Sequence, residues 1–228
     1  AREQAPQVNV AGDAASADLA QDRTSLAGKV LRLTLAGQPA PGNPFNSAIY
    51  SLGHRNPQGL VFHPTTGALY VTEHGPSDND EVNAIISGRN YGWPTVHGFC
   101  DNDTGNERTF CQANNVVEPL ATWTPTIAPA GADIYVADLI AEWKGSLLFA
   151  SLRGALYRLV LAPDGSSITS RETLFQGRDQ RHAAGQEPAV LDGAKCLDRL
   201  GHRSRSEIVE VVHDLHATPV RSTAASDL

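Results

Sequence analysis

The feature that most constrains this chain is its punctuation: 20 Gly and 14 Pro in 228 residues cut the apolar sequence into short runs. Interruption that frequent favours many short strands and tight turns over long helices. The clearest case is residues 53–94, GHRNPQGLVFHPTTGALYVTEHGPSDNDEVNAIISGRNYGWP. Two apolar runs, 60–62 and 68–72, are separated by His63-Pro64-Thr65-Thr66-Gly67, which predicts a β-hairpin. Immediately before it stands His54-Arg55-Asn56-Pro57-Gln58. Immediately after it come Glu73-His74-Gly75-Pro76 and an acidic run, Asp78, Asp80 and Glu81. Polar groups at both ends of one hairpin can converge on a single mouth while the strands supply rigidity, so this stretch is read as a ligand site.

Bulk properties narrow the partners. Hydrophobic residues make up 41% and charged residues 19%, the balance of an ordinary globular protein with one sizeable core or two small ones. A formal charge of −7 argues against a nucleic-acid partner, because no basic stripe is available to neutralise phosphates. No apolar run approaches the roughly 18 residues of a membrane span. Cys100 and Cys111 bracket a ten-residue polar loop that a disulfide would close in an oxidising compartment, leaving Cys196 unpaired. Three unrelated thiols are the alternative. The chain has no Met, even at position 1, and is expected to be a fragment or a processed product.

Along the chain, residues 1–27 read as mostly loop lying over an adjacent surface. Strands are predicted at 28–35, at the two arms of the hairpin, and at 81–86, 134–136, 147–150, 155–161 and 168–175. Residues 95–120 form a long polar excursion carrying the cysteine pair. Residues 178–228 change character, with a short helix predicted at 206–216. Three regions follow: an N-terminal segment 1–27, a β domain 28–177, and a divergent tail 178–228. Strands and turns recurring over about 40 residues suggest blades of a β-propeller, roughly two plus a strand of a preceding one.

GHRNPQGL, EHGP followed by acidic residues and Glu-Val-Asn, and NYGWP together resemble the soluble pyrroloquinoline-quinone (PQQ) sugar dehydrogenases, the glucose/sorbosone dehydrogenase family. Ala-Gln-Asp at 20–22, GKVLRL at 28–33 and WTPTIAP at 123–129 fit the same resemblance, which covers about residues 20–177. It implies an all-β, six-bladed β-propeller, incomplete here because a closed ring at about 45 residues per blade needs a longer chain. It also implies PQQ and Ca²⁺ as cofactors and a sugar substrate, oxidised at C1 to its lactone with electrons passed to an external acceptor. The location implied is periplasmic or secreted. Oligomeric state is open.

Site residues follow from both sources. Arg55 offers a fixed fork for a carboxylate or quinone oxygen, with Asn56 and Gln58 as uncharged donors beside it. The resemblance places all three, and His74, in the cofactor pocket. It assigns the carbonyls of Gly75 and Pro76 to a calcium tethering the cofactor, oxygens being the ligands Ca²⁺ takes. Glu81, Tyr91 and Asp101 (or Asp103) are its candidates for a second calcium. Asp78 and Asp80 are equally readable as a solvated acidic loop. Thr126 and Arg153 are expected to meet a PQQ carboxylate and the quinone, and Trp123 either a ring plane or the core.

The family's catalytic base is a His upstream of the region matched, and residues 1–27 hold none. The catalytic residue is therefore unknown, His54 and His74 being better explained as hydrogen-bonded structural groups. Little glucose-dependent dye reduction is expected of this chain alone. Arg178 and Arg181 are three apart where the family's paired arginines are two apart. The rival reading is a non-catalytic calcium-binding propeller that holds a glycan or a protein partner. A calcium-dependent propeller hydrolase is a third.

Overall fold

In the computed structural model, which describes residues 5–103 and 105–176, the chain forms three antiparallel sheets. The first contains β1 (Gln7–Ala11), β2 (Lys29–Leu33) and β3 (Ile49–Leu52) in that order. The second contains β4 (Pro57–Phe62), β5 (Leu69–Glu73), β6 (Asp80–Ile85) and β7 (Ala121–Trp123), each paired with the next in sequence. The third contains β8 (Pro129–Ile134), β9 (Leu147–Ser151), β10 (Ala155–Leu161) and β11 (Ile168–Leu174), again a meander.

The predicted hairpin is β4–β5, register Phe62 opposite Leu69. Its turn is closed by His63, whose Nδ1 accepts the Thr65 and Thr66 N–H groups at 3.2 Å. All five residues of β5 are buried, because sheets cover both of its faces. The strand period of two decides which way each points. Leu69 and Val71 join Val30, Ile85 and Tyr91 between the first and second sheets. Tyr70 points the other way, into the larger cluster of Val82, Ile134, Leu147, Phe149, Tyr157 and Leu159 shared with the third sheet. The second and third sheets touch closely at Gly59, where a Cβ would stand 2.7 Å from Ala130 O and 2.8 Å from Ala132 N.

Several elements differ from expectation. Within 1–27, β1 is a strand, paired with β2 from Gln7 opposite Leu33 to Ala11 opposite Lys29. Its sequence, QVNVA, has only two valines to announce it. With β3, also unpredicted, it makes the first sheet three-stranded rather than a lone strand. The strand expected at 134–136 lies earlier, at β8, and starts with Pro129, whose missing N–H is tolerated at a strand's first position. The polar excursion 95–120 holds a helix, α1 (Glu107–Asn114), which buries Glu107 and Cys111. Cys100 and Cys111 are joined as a disulfide. Cys196, Arg178, Arg181 and the helix predicted at 206–216 lie outside the described residues.

The disulfide anchors α1 to the loop before it. Cys111→Ser is expected to cost about 3 kcal/mol, the entropy of opening a loop of this length, read from the urea midpoint and slope together because the opened unfolded chain exposes more surface. A shift below about 0.5 kcal/mol would mean that the loop holds its shape without the bond.

Candidate functional site

The antiparallel meanders bring four connections to one end of the sheets: 53–56 before β4, 74–79 after β5, 124–128 between β7 and β8, and 152–154 between β9 and β10. Hydrogen bonds knit them together. His74 N–H donates to Asn56 O (3.0 Å), and Leu152 N–H donates to Ala128 O (2.9 Å). The Ser151 hydroxyl donates to Ile127 O. Residues 12–17, following β1, close over the same end, with Asp13 N–H on Arg55 O at 2.8 Å.

Where the 12–17, 53–56 and 74–79 segments meet Trp93 lies an open cleft of about 620 Å³, walled by the 12–17 loop, Arg55, Asn56, Pro76 and Trp93. Arg55 is fixed from two sides. Its main-chain N–H donates to Glu73 Oε1, and its Nη1 donates to His74 O at 3.1 Å. The guanidinium carbon stands 5.4 Å from the Trp93 ring centroid, a cation–π distance. Arg55 therefore sits beside the Gly75–Pro76 turn, within a side chain's reach, and shares the cleft with Pro76.

Behind Arg55 runs a buried chain of three polar side chains. His54 Nδ1 lies 3.0 Å from Glu73 Oε2, and His54 Nε2 lies 2.8 Å from Ser51 Oγ. A carboxylate accepts, so Nδ1 carries the proton and Nε2 accepts the Ser51 hydroxyl. The His54 ring stacks on Tyr91 at 4.7 Å. Ser51 and His54 are fully buried, so this trio orders the site rather than attacking anything. His74 is likewise occupied: Nε2 donates to Pro129 O at 2.7 Å, and Nδ1 faces Asn56 Nδ2 at 3.4 Å. The ring nitrogens of both histidines thus face polar groups of the protein.

Other predicted residues fall in different places. Gln58 is exposed and donates to Asn56 Oδ1 at 2.9 Å, next to the cleft but not on its wall. Thr126 and Arg153 meet each other, Nη2 to Oγ1 at 3.1 Å, outside that wall. Trp123 packs edge-on against Phe149 and Tyr157 at 5.4 and 5.7 Å, which makes it a core residue.

Glu81, Tyr91 and Asp101 are engaged separately. Glu81 accepts Gly98 N–H and Asn83 Nδ2 at 2.9 Å each. The Tyr91 hydroxyl bonds Ala84 O and Ile86 N–H, and Asp101 accepts its neighbour Asp103 N–H. Burial pushes the Glu81 carboxyl up to about 8, with the Glu73 charge adding to it. Burial also pushes the Tyr91 phenol up. Among the described residues, no group of three or more His, Cys, Asp or Glu stands ready for a metal ion. The buried oxygens Asp78 Oδ1 and Asn83 Oδ1 have no hydrogen-bond partner among the described residues.

Sequence reasoning missed four contributors. Asp13 lines the cleft and accepts Trp93 Nε1–H at 2.8 Å. Trp93 itself was read only as part of a turn. Gln21 and Asn90 exchange amide hydrogen bonds of 3.1 and 2.7 Å, and Gln21 also holds Trp93 O. The Ala-Gln-Asp and NYGWP strings were visible, but not that they touch.

Comparison with known proteins agrees with this architecture. The Glucose / Sorbosone dehydrogenase family matches residues 8–184. The chain is 34% identical over 206 residues to quinoprotein glucose dehydrogenase B of Acinetobacter calcoaceticus, covering 64% of this chain and 42% of that protein. It is 32% identical over 171 residues to aldose sugar dehydrogenase YliI of Escherichia coli, covering 71% and 46%. Among solved structures, the PQQ-bound aldose sugar dehydrogenase of Streptomyces coelicolor aligns with a TM-score of 0.62 and 36% identity, covering 75% of this chain and 46% of that one. The sheets are thus those of a sugar dehydrogenase family. The chain belongs to the glucose/sorbosone dehydrogenases, and it spans less than half the length of the curated relatives it matches.

Proposed function

We propose that this chain forms the cofactor-holding part of a PQQ- and calcium-dependent dehydrogenase that oxidises an aldose at C1 to its lactone and passes the electrons to an external acceptor. Its three sheets are blades of a β-propeller, with residues 28–177 inside that domain. The observation that carries the reading is Arg55 beside the Gly75–Pro76 turn on one cleft, backed by a planar indole.

The residues present suit the two cofactors. PQQ is a flat tricarboxylate that, when bound, supplies the quinone that takes up hydride. Arg55 offers two parallel donors to a carboxylate or quinone oxygen. Trp93 adds an indole to the cleft wall, its ring stacked on His97 at 5.1 Å with the Arg55 guanidinium over it, and Asn56 adds an amide. The Thr126–Arg153 pair supplies a hydroxyl and a second cation at the neighbouring turn. Calcium prefers hard oxygens. The carbonyls of Gly75 and Pro76 would hold it, and the unpartnered Asp78 Oδ1 in the same connection is a further oxygen suited to it. Near Glu81, the unpartnered Asn83 Oδ1 suits a second calcium, for which Glu81, Tyr91 and Asp101 are the proposed ligands. The Cys100–Cys111 bond fits an oxidising compartment, so a periplasmic or secreted location is part of the proposal. No described helix is long and apolar enough to cross a membrane.

The test is a PQQ titration followed by tryptophan fluorescence in calcium. Arg55→Met keeps the side chain's length and the main-chain bond to Glu73 but removes the fork. It is expected to weaken binding about a hundredfold, on the order of 3 kcal/mol for a charge-assisted pair, with chelation of calcium weakening it too. Equal affinity in the variant and the original would overturn the role given to Arg55.

A further inference from the structure

Asp80, the first residue of β6, is 1% exposed and has been given no role in cofactor or metal binding. Its carboxylate is fully used. Oδ1 accepts Gly75 N–H at 2.8 Å, and Oδ2 accepts Ile127 N–H at 2.6 Å and Ala128 N–H at 2.7 Å. Gly75 belongs to the connection after β5, which carries the two calcium-facing carbonyls. Ile127 and Ala128 belong to the connection before β8, which carries Thr126 and, through it, Arg153. One rigid group therefore spans both.

The surroundings sharpen its role. The turn at Gly75 is so tight that a Cβ there would stand 1.8 Å from Asp78 O, so it has room only for glycine. The second connection is held to its own sheet by Ser151 on Ile127 O and by Leu152 N–H on Ala128 O. Two other ties cross the gap, Thr124 with Asn79 and His74 with Pro129 O. Those keep the connections near each other without Asp80. Neither holds the Gly75 N–H, which lies in the His74–Gly75 peptide plane, one before the plane that carries the Gly75 oxygen.

We propose that Asp80 is a positioning residue: by gripping the N–H of Gly75 together with those of Ile127 and Ala128, it sets the Gly75–Pro76 carbonyls against the Thr126–Arg153 pair. It thereby tunes the affinity for a calcium-tethered polycarboxylate. This rests on the reading of the cleft as a PQQ and calcium site. It goes further in assigning part of the affinity to a carboxylate that touches neither.

The experiment titrates PQQ into the full chain in saturating calcium, comparing the original with Asp80→Ala, Asp80→Asn and Tyr70→Phe. Tyr70 donates to Gly165 O at the opposite end of β5, so its loss lowers stability away from the site. Asp80→Ala is expected to weaken binding about ten- to a hundredfold, as loss of a group that orients metal ligands does. Asp80→Asn turns an amide donor towards one of the N–H groups it should accept. It is expected to lose about tenfold in affinity while keeping more of the stability. Tyr70→Phe should lose stability and keep its affinity. In the cofactor-free chain, amide exchange at Gly75, Ile127 and Ala128 should quicken together in Asp80→Ala. Undiminished affinity in both Asp80 variants, or faster exchange in only one connection, overturns the inference alone. Absence of PQQ binding by the original chain overturns the reading of the cleft, and the inference with it.

Discussion

Glu73→Ala is expected to destabilise the chain by about 2–6 kcal/mol, the sum for two donors that lose a buried charged acceptor. Glu73 is 4% exposed, and each carboxylate oxygen has a buried client: His54 Nδ1–H on one, Arg55 N–H on the other. Truncation leaves both donors unsatisfied, at about 1–3 kcal/mol each, and opens a void beside the Tyr91–His54 stack. One effect runs the other way. The Glu73 charge helps push the Glu81 carboxyl up, so its removal relieves some repulsion. Glu73→Gln separates the two contributions. His54 can exchange its ring proton, accepting the new amide at Nδ1 and donating to Ser51 from Nε2, so the cost should fall to about 1 kcal/mol. Urea unfolding gives the energies, and ¹⁵N chemical shifts of His54 give the tautomer. A loss below about 1 kcal/mol for the alanine variant would mean that the network is incidental.

What could be read from the residues divides along a physical line. The β4–β5 hairpin was legible because its alternation and its turn chemistry are local, and both ends of a hairpin must lie near its sheet's rim. Arg55 and Pro76 flank that one hairpin, so their convergence needed no knowledge of distant chain. β1 was not legible, since five residues with two valines acquire strand character only by pairing with β2. α1 was hidden for a different reason. Its sequence, ERTFCQAN, is polar, and it is held by a disulfide and by the buried Glu107 carboxylate, which accepts His97 N–H and Asn102 N–H.

The same line runs through the site. Asp13 meets Trp93 across 80 residues of chain, a contact that no local pattern encodes. Asp80 is the sharper case, because it stands two residues from Asp78 in a run that looks like a solvated acidic loop. The sequence counts carboxylates but cannot say where main-chain N–H groups point. Three of them aim at Asp80, and that direction is a product of two turns from different sheets.

Lys29→Met should cost about 2–4 kcal/mol near pH 7, the scale of removing one charged partner from a buried set of hydrogen bonds. Lys29 is fully buried, and its Nζ donates to the carbonyls of Leu19, Ala20 and Ala27 at 2.7, 3.0 and 2.7 Å. Three donors meet three acceptors, so a methionine of similar length fills the space and abandons the oxygens. Ala20 O keeps the Gly53 N–H and Leu19 O keeps the Asp22 N–H at 3.2 Å, so the Ala27 carbonyl bears most of the loss. Burial also draws the ammonium down to about 8, with the Asp22 charge opposing it. Below about pH 8 the folded and unfolded chains are both protonated here. Between there and about 10.4 the unfolded chain binds the proton more firmly, so folding stability rises with pH by up to about 1.4 kcal/mol per unit. Methionine does not titrate. The gap between the original chain and the variant should therefore widen from pH 7 to pH 9.5, measured by urea unfolding at both. A gap that stays constant would mean that the ammonium feels no burial cost and that the three carbonyls alone set its behaviour. The clamp also matters beyond stability, because the segment it grips leads directly from the 12–17 loop that walls the cleft. Loss of Lys29 should loosen that wall and weaken PQQ binding even though the lysine lines no part of it.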